Sequence, residues 1–162
     1  MKVQDVMTAN AQACTPNTDL AAAAASMWEN DCGVLPVVAG GKNAIGVITD
    51  RDIAMALGTR NRKASDIRVQ EVMSGKLFAA SPEDDIHTAL KLMRREKVHR
   101  LPVIDHEGVL KGILSLNDIA LHAMHPDGKR IPELNYEDVV STLKAICEHR
   151  PSALAKAGTA NA

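Results

Sequence analysis

Thr49, Arg51 and Asp52 close the segment GVITDRD (residues 46–52), and Ser115 and Asp118 close its altered copy GILSLND (residues 112–118). Each reads as a short apolar strand that enters a helix through a hydroxyl residue, with a carboxylate three positions later. That junction can cradle an anion, because the first helical turn carries unpaired N–H groups and a partial positive charge, and a hydroxyl adds a donor. A carboxylate beside it can accept two hydrogen bonds from the vicinal hydroxyls of a ribose. The same spacing, Thr49-x-x-Asp52 and Ser115-x-x-Asp118, also fits a capping box that needs no ligand. Both chemistries stand on spacing alone. Arg51 adds a cation to the first copy, whereas Ser115 is followed by Leu116 and Asn117, so the two junctions are not equivalent.

The elements that position these residues occur twice. VQDVMT (residues 3–8) returns as VQEVMS (residues 69–74), an offset of about 66 residues that runs ungapped to Ala54 against Ala120. Roughly 16 of about 52 aligned positions are identical, far beyond chance for an ungapped register. In each copy the spacing predicts a short strand (residues 12–14 and 77–79), then a helix. Ser81 reads as its N-cap and Pro82 as its first residue in the second copy, with Thr15-Pro16 as the counterpart. Leu20, Ala23, Ala24 and Met27, and Ile86, Ala89, Leu90 and Met93, form the buried stripes of these helices. Two β-branched runs follow, 34–38 with 45–48 and 101–104 with 111–114, separated by Gly-rich or Asp-rich turns. Helices then begin near Thr49 and Ser115. The order is β-α-β-β-α, twice, and one unit alone is too small to bury its sheet. The expected fold is therefore α/β (α+β): two repeats packed about a pseudo-two-fold axis, plus a C-terminal helix.

The boundaries follow: repeat 1 over residues 1–58, a linker over 59–68, repeat 2 over 69–124, and a helical extension with a frayed end over 125–162. The extension's helix starts near Asn135-Tyr136, with Val139, Val140, Leu143 and Ile146 as its apolar stripe. Arg60, Arg62, Lys63 and Arg68 make the linker basic, which reads as a solvated connection.

Composition limits the function. In 162 residues the formal net charge is −1 and the aromatics are only Trp28, Phe78 and Tyr136, so neither a nucleic-acid surface nor a stacking platform is expected. No apolar stretch is long enough to span a bilayer. Cys14, Cys32 and Cys147 form no CxxC pair, which suits a reducing cytoplasm. His122-x-x-His125 lacks an acidic or cysteine partner and reads as a solvated helix end, not a metal site. Nothing resembles a nucleophile elbow or an acid/base pair, so no enzyme is expected.

The repeated VMT/VMS start, the L-P-V strand and the G-h-h-[ST]-x-x-D end resemble the CBS domain, and the tandem pair resembles a Bateman module of the small stand-alone bacterial type. The resemblance implies a regulatory sensor of adenine nucleotides, AMP favoured over ADP and ATP, bound in the cleft between copies. It implies that Asp52 and Asp118 hold ribose and that Thr49 and Ser115 approach phosphate, with Thr15 also at the nucleotide. KVHRLPVID (residues 97–105) is similar to the segment from which nucleotide-binding members offer His and Arg to phosphate, so His99 and Arg100 are expected to serve the nucleotide held by Thr49, Arg51 and Asp52. The alternative for His99-Arg100 is an exposed strand entrance. A homodimer and an unidentified effector protein are implied partners. A ligand-free dimeric scaffold, or a sensor of NAD(H) or S-adenosylmethionine, is the alternative function.

Overall fold

The computed structural model describes residues 1–125 and 132–148. Its mixed α+β architecture repeats as the offset demands. In the first copy, helix α1 (Leu20–Glu29) leads to strands β2 (Val34–Ala39) and β3 (Asn43–Thr49) and helix α2 (Asp50–Arg60); in the second, α3 (Ile86–Glu96) leads to β4 (Arg100–Ile104), β5 (Leu110–Ser115) and α4 (Leu116–His122). Both hairpins are antiparallel, and both carry a bulge at the same repeat position, between Val37 and Val38 and between Val103 and Ile104.

The heads of the repeats are exchanged. The 3-10 turn Val3–Asp5 and strand β1 (Thr8–Ala9) belong to the second copy: Val3 N–H donates to the Asp84 carbonyl (2.9 Å), Ile86 N–H donates to the Met1 carbonyl (3.0 Å), and β1 pairs with β5. The turn Val69–Glu71 does the same in the first copy, where Val69 N–H donates to the Thr18 carbonyl (2.8 Å) and Ser74 bridges Val47. Val3 and Val6 thus pack in one core with Ile86, Leu90, Met93, Leu101 and Leu114. Val69 packs in the other with Leu20, Leu35, Val37 and Ile48. Packing units and sequence repeats are offset by one segment, which ties the two cores into one body. The hairpin tips also interlock, through Ala44 N–H to the Gly108 carbonyl and Leu110 N–H to the Lys42 carbonyl. Gly108 holds φ +82° in that turn, a conformation that β-carbons disfavour.

Three expectations change. Residues 12–14 and 77–79 do not form strands; one-residue parallel bridges stand at Cys14–Val37 and Ala80–Val103, because Pro16 and Pro82 turn the chain at once. Ser81 does not cap a helix. It closes a turn in which its N–H donates to Asp84 Oδ2 (2.8 Å), and α3 starts after Asp85, whose carboxylate accepts from His87 N–H (2.9 Å). Asp19 caps α1 in the same way. Helix α5 (Tyr136–Cys147), capped by Asn135, lies against α3 and α4, but its buried face is Val139, Thr142 and Ile146. Val140 and Leu143 are 49% and 41% exposed, since positions 139, 142 and 146 define the inward stripe and 140 and 143 turn away from it. Residues 149–162 of the expected frayed end lie outside the described residues.

The linker is held down by its own cations. Arg62 pairs with Glu71 (2.7 Å), Arg60 donates to the Glu71 carbonyl (2.9 Å), and Arg68 donates to the Asn17 carbonyl (3.1 Å). Among the described residues no helix is long and apolar enough to cross a membrane.

Candidate functional site

Both strand-to-helix junctions form complete capping boxes. Thr49 N–H and hydroxyl donate to Asp52 Oδ2 (2.9 and 2.7 Å), and Asp52 N–H donates back to the hydroxyl (3.1 Å). Ser115 and Asp118 repeat this at 2.7, 2.5 and 3.1 Å. Capping is thus realised in both copies, and it leaves each aspartate's Oδ1 outside the box. The motif glycines serve close packing instead. A β-carbon on Gly112 would stand 2.4 Å from the Thr8 carbonyl oxygen, and one on Gly46 would stand 2.4 Å from that of Ser74. Glycine is needed because the exchanged head segment lies directly on the strand.

From here the copies diverge. Thr8 donates its hydroxyl to Asp118 Oδ1 (3.0 Å), fixing the carboxylate's plane. Ser74, the counterpart of Thr8, makes no such bond, and Asp52 Oδ1 has no partner among the described residues. A cavity of about 400 Å³ opens beside Asp118, lined also by Thr8, Asp31, Arg100, Ser115 and Asn117. Arg100 stands opposite Ser115 in the β4–β5 ladder, which carries its side chain to this junction. Its guanidinium is half-buried and makes no hydrogen bond or ion pair among the described residues. A second, more open cavity of about 680 Å³ adjoins the first and shares Asp31, Cys32, Arg100 and Asn117 with it. Its far wall is apolar: Met27, Trp28, Ile53 and Leu57.

The structure therefore brings Arg100, Ser115 and Asp118 together. The cation that Leu116 and Asn117 fail to provide arrives across the ladder. Thr49, Arg51 and Asp52 line neither cavity. They belong to the pseudo-symmetric junction, where the repeat offset puts Arg100 at the counterpart of Val34, Lys97 at that of Asp31 and Arg51 at that of Asn117. There the Lys76 ammonium sits over the Phe78 ring (4.7 Å from its centroid), at the counterparts of the cavity residues Asn10 and Gln12. His99 is exposed, and its carbonyl accepts from Leu116 N–H (3.0 Å). The Thr15 hydroxyl is engaged with that of Thr18 (3.1 Å) and lines neither cavity. Sequence reading missed Thr8, Asp31 and Asn117. Thr8 and Ser74 are both hydroxyl residues at the ends of the repeated starts, which was a signal, but only the exchange of heads brings Thr8 to Asp118.

Cys14 and His122 line neither cavity. Burial pushes the Cys14 thiol up to about 11, as suits packing in the first core. His122 Nδ1 lies 2.8 Å from the Asp118 carbonyl, and the described residues contain no cluster of three metal-ligating side chains.

Known proteins are similar to this chain in sequence and fold. The chain is 31% identical over 139 residues to the CBS domain-containing protein YhcV of Bacillus subtilis, a match covering 85% of this chain and 97% of the relative. The solved structure of Hypoxic Response Protein I with two coordinated zinc ions is similar at a TM-score of 0.70 and 28% identity, covering 76% of this chain and 100% of that one. That of CBSX2 in complex with AMP gives a TM-score of 0.65 at 25% identity, covering 74% and 93%. The CBS domain pattern itself matches residues 3–59 and 69–125, one match in each copy of the repeat, and the chain therefore belongs to the CBS-domain family as a tandem pair.

Proposed function

We propose that this chain is a regulatory module, not a catalyst, that binds an adenosine-type ligand in the cavity beside Asp118. The observation that carries this reading is the meeting of Arg100, Ser115 and Asp118 in one cavity, with the guanidinium unpaired among the described residues. Asp118, oriented by Thr8, has one lone pair left on Oδ1 for a ribose hydroxyl. Arg100 supplies a cation for one phosphate beside Ser115, whose own hydroxyl proton is held by Asp118 Oδ2. AMP fits this set, and CBSX2, a similar structure, was solved with AMP. The Asp52 junction is a second site, separate from the two cavities described above. Output passes through an effector protein or a change in assembly, with a homodimer as the basic unit, in the cytoplasm, where three free thiols are stable.

Calorimetry on nucleotide-stripped protein tests the reading. AMP is expected to bind, and 2′-deoxy-AMP to bind about tenfold more weakly, as loss of a hydrogen bond to a charged group implies. No heat from adenosine, any adenine nucleotide, NAD or S-adenosylmethionine at millimolar concentration rejects it.

A ligand-free scaffold is the second reading, favoured by caps that are complete without ligand and by the exposed Leu121, Met124, Tyr136, Val140 and Leu143 on α4 and α5 and between them. Thermal shift separates the two. Ligand at about 100 times its Kd adds about 2.7 kcal/mol, or several degrees, whereas a scaffold gives a flat response.

A further inference from the structure

Arg100 is the only cation among the described residues that line either cavity, and carboxylates outnumber it in both. Asp31 and Asp118 face the first cavity; Asp31 and Asp50 face the second. Asp118 is committed to Ser115 and Thr8. Asp50 is held by its own helix, where its Oδ1 accepts from Arg51 N–H (2.7 Å), and its Oδ2 would stand 2.8 Å from a β-carbon on Gly33. Asp31 is different. It follows α1 at φ +48°, is exposed, and its carboxylate has no partner among the described residues. It also lines both cavities, as Cys32, Arg100 and Asn117 do, so it stands where the two adjoin.

We infer that Asp31 is a specificity-determining residue that biases the Asp118 cavity against adenosyl ligands carrying more than one phosphate. The inference rests on the adenosine-ligand reading above. Arg100 offers one positive charge to the first phosphate group. Each further phosphate adds a negative charge beyond Arg100, towards Asp31 and Asp50, where no other cation among the described residues lines the wall. Neutral or cationic extensions meet no such barrier. The internal repeat provides the contrast in sequence: Lys97, whose ammonium donates to the Glu148 carbonyl (2.8 Å), is the counterpart of Asp31, and Arg51 is that of Asn117, so the other copy carries cations at these two positions. Lys97 also shares the left-handed backbone of Asp31, at φ +55°, so a lysine is compatible with that conformation.

The experiment measures Kd for adenosine, AMP, ADP and ATP, without magnesium, on the full chain and on Asp31→Asn and Asp31→Lys, at about 50 and 500 mM salt. Asn tolerates positive φ as Asp does, so the first variant changes charge with little else. In the native chain, Kd is expected to rise from AMP through ADP to ATP, by about tenfold in all at low salt. Asp31→Asn narrows that ratio several-fold, Asp31→Lys erases or reverses it, and high salt weakens the discrimination, while adenosine changes by less than about twofold throughout. Equal affinity for AMP and ATP in the native chain overturns the inference and leaves the adenosine reading intact. So does an AMP-to-ATP ratio unmoved by either substitution. Failure of adenosine and all three nucleotides to bind the native chain overturns both.

Discussion

The two strand-to-helix junctions share a pattern, a capping box and a close-packed glycine, and yet only one of them borders the cavity that gathers Arg100, Ser115 and Asp118. What differs is supplied from elsewhere in the chain. Thr8 and Arg100 converge on Asp118, while Ser74 makes no such bond to Asp52 and Lys76 with Phe78 stands at the counterparts of Asn10 and Gln12. The repeated residues build the same frame twice. The unrepeated ones, Asp31 against Lys97 and Asn117 against Arg51, differ in charge between the copies.

Glycine substitutions are the strongest way to break this comparison. In Gly112→Ala and Gly46→Ala the new β-carbon meets a backbone carbonyl that cannot swing away like a flexible side chain. Each should cost about 1–3 kcal/mol in a denaturant melt, as overpacking does, near the upper end because the obstacle is main chain. The two then part in binding. Gly112→Ala displaces Thr8 and weakens AMP at least tenfold, whereas Gly46→Ala displaces Ser74 and leaves AMP affinity within about threefold. Equal losses in calorimetry would mean that the junctions are functionally the same.

Replacing the aspartates gives a smaller and cleaner contrast. Asp52→Ala and Asp118→Ala each remove a capping-box partner, for about 1 kcal/mol of stability. Only Asp118→Ala should also lose about 1–3 kcal/mol of AMP binding, because only Asp118 lines the cavity. A larger loss from Asp52→Ala would move the main site to the basic junction.

Much of the frame was legible in the sequence. Thr49 and Ser115 do cap α2 and α4, Asn135 does cap α5, and the paired runs after α1 and α3 do form hairpins, since each depends on residues a few positions apart. The helix starts at Asp19 and Asp85 were misplaced towards Thr15 and Ser81, because hydroxyl-Pro turns and helix caps use the same residue types. The site was less legible. Residues 3–8 and 69–74 are nearly the same peptide, and nothing local says which copy each will pair with. Hence nothing local in the sequence places Thr8 at Asp118 or tells that Arg100 stands opposite Ser115 in the ladder.

The least disruptive change tests how far the halves can be made alike without touching the site. Cys14 and its counterpart Ala80 make the same parallel bridge, Cys14 N–H to the Pro36 carbonyl and Ala80 N–H to the Pro102 carbonyl, both at 3.0 Å. Position 14 thus needs the backbone bond and a small apolar side chain, not a thiol, so Cys14→Ala should cost no more than about 1 kcal/mol and leave AMP affinity within about twofold. The thiol nonetheless leaves a signature in pH dependence. Burial raises it from an ordinary value of 9.0 to about 11 in the folded chain. Between these values the unfolded chain has released a proton that the folded chain still holds, so the folded state binds more protons and stability falls as pH rises. The contribution is complete below pH 9.0, declines across the interval and is gone above about 11. Denaturant melts from about pH 8 to about pH 11 should show this decline in the native chain and a shallower one in Cys14→Ala. At about pH 8, a thiol reagent should modify the exposed Cys147 well before Cys14. Rapid modification of Cys14 in the folded protein would mean that the bridge to Val37 opens readily and that the first core is looser than the second.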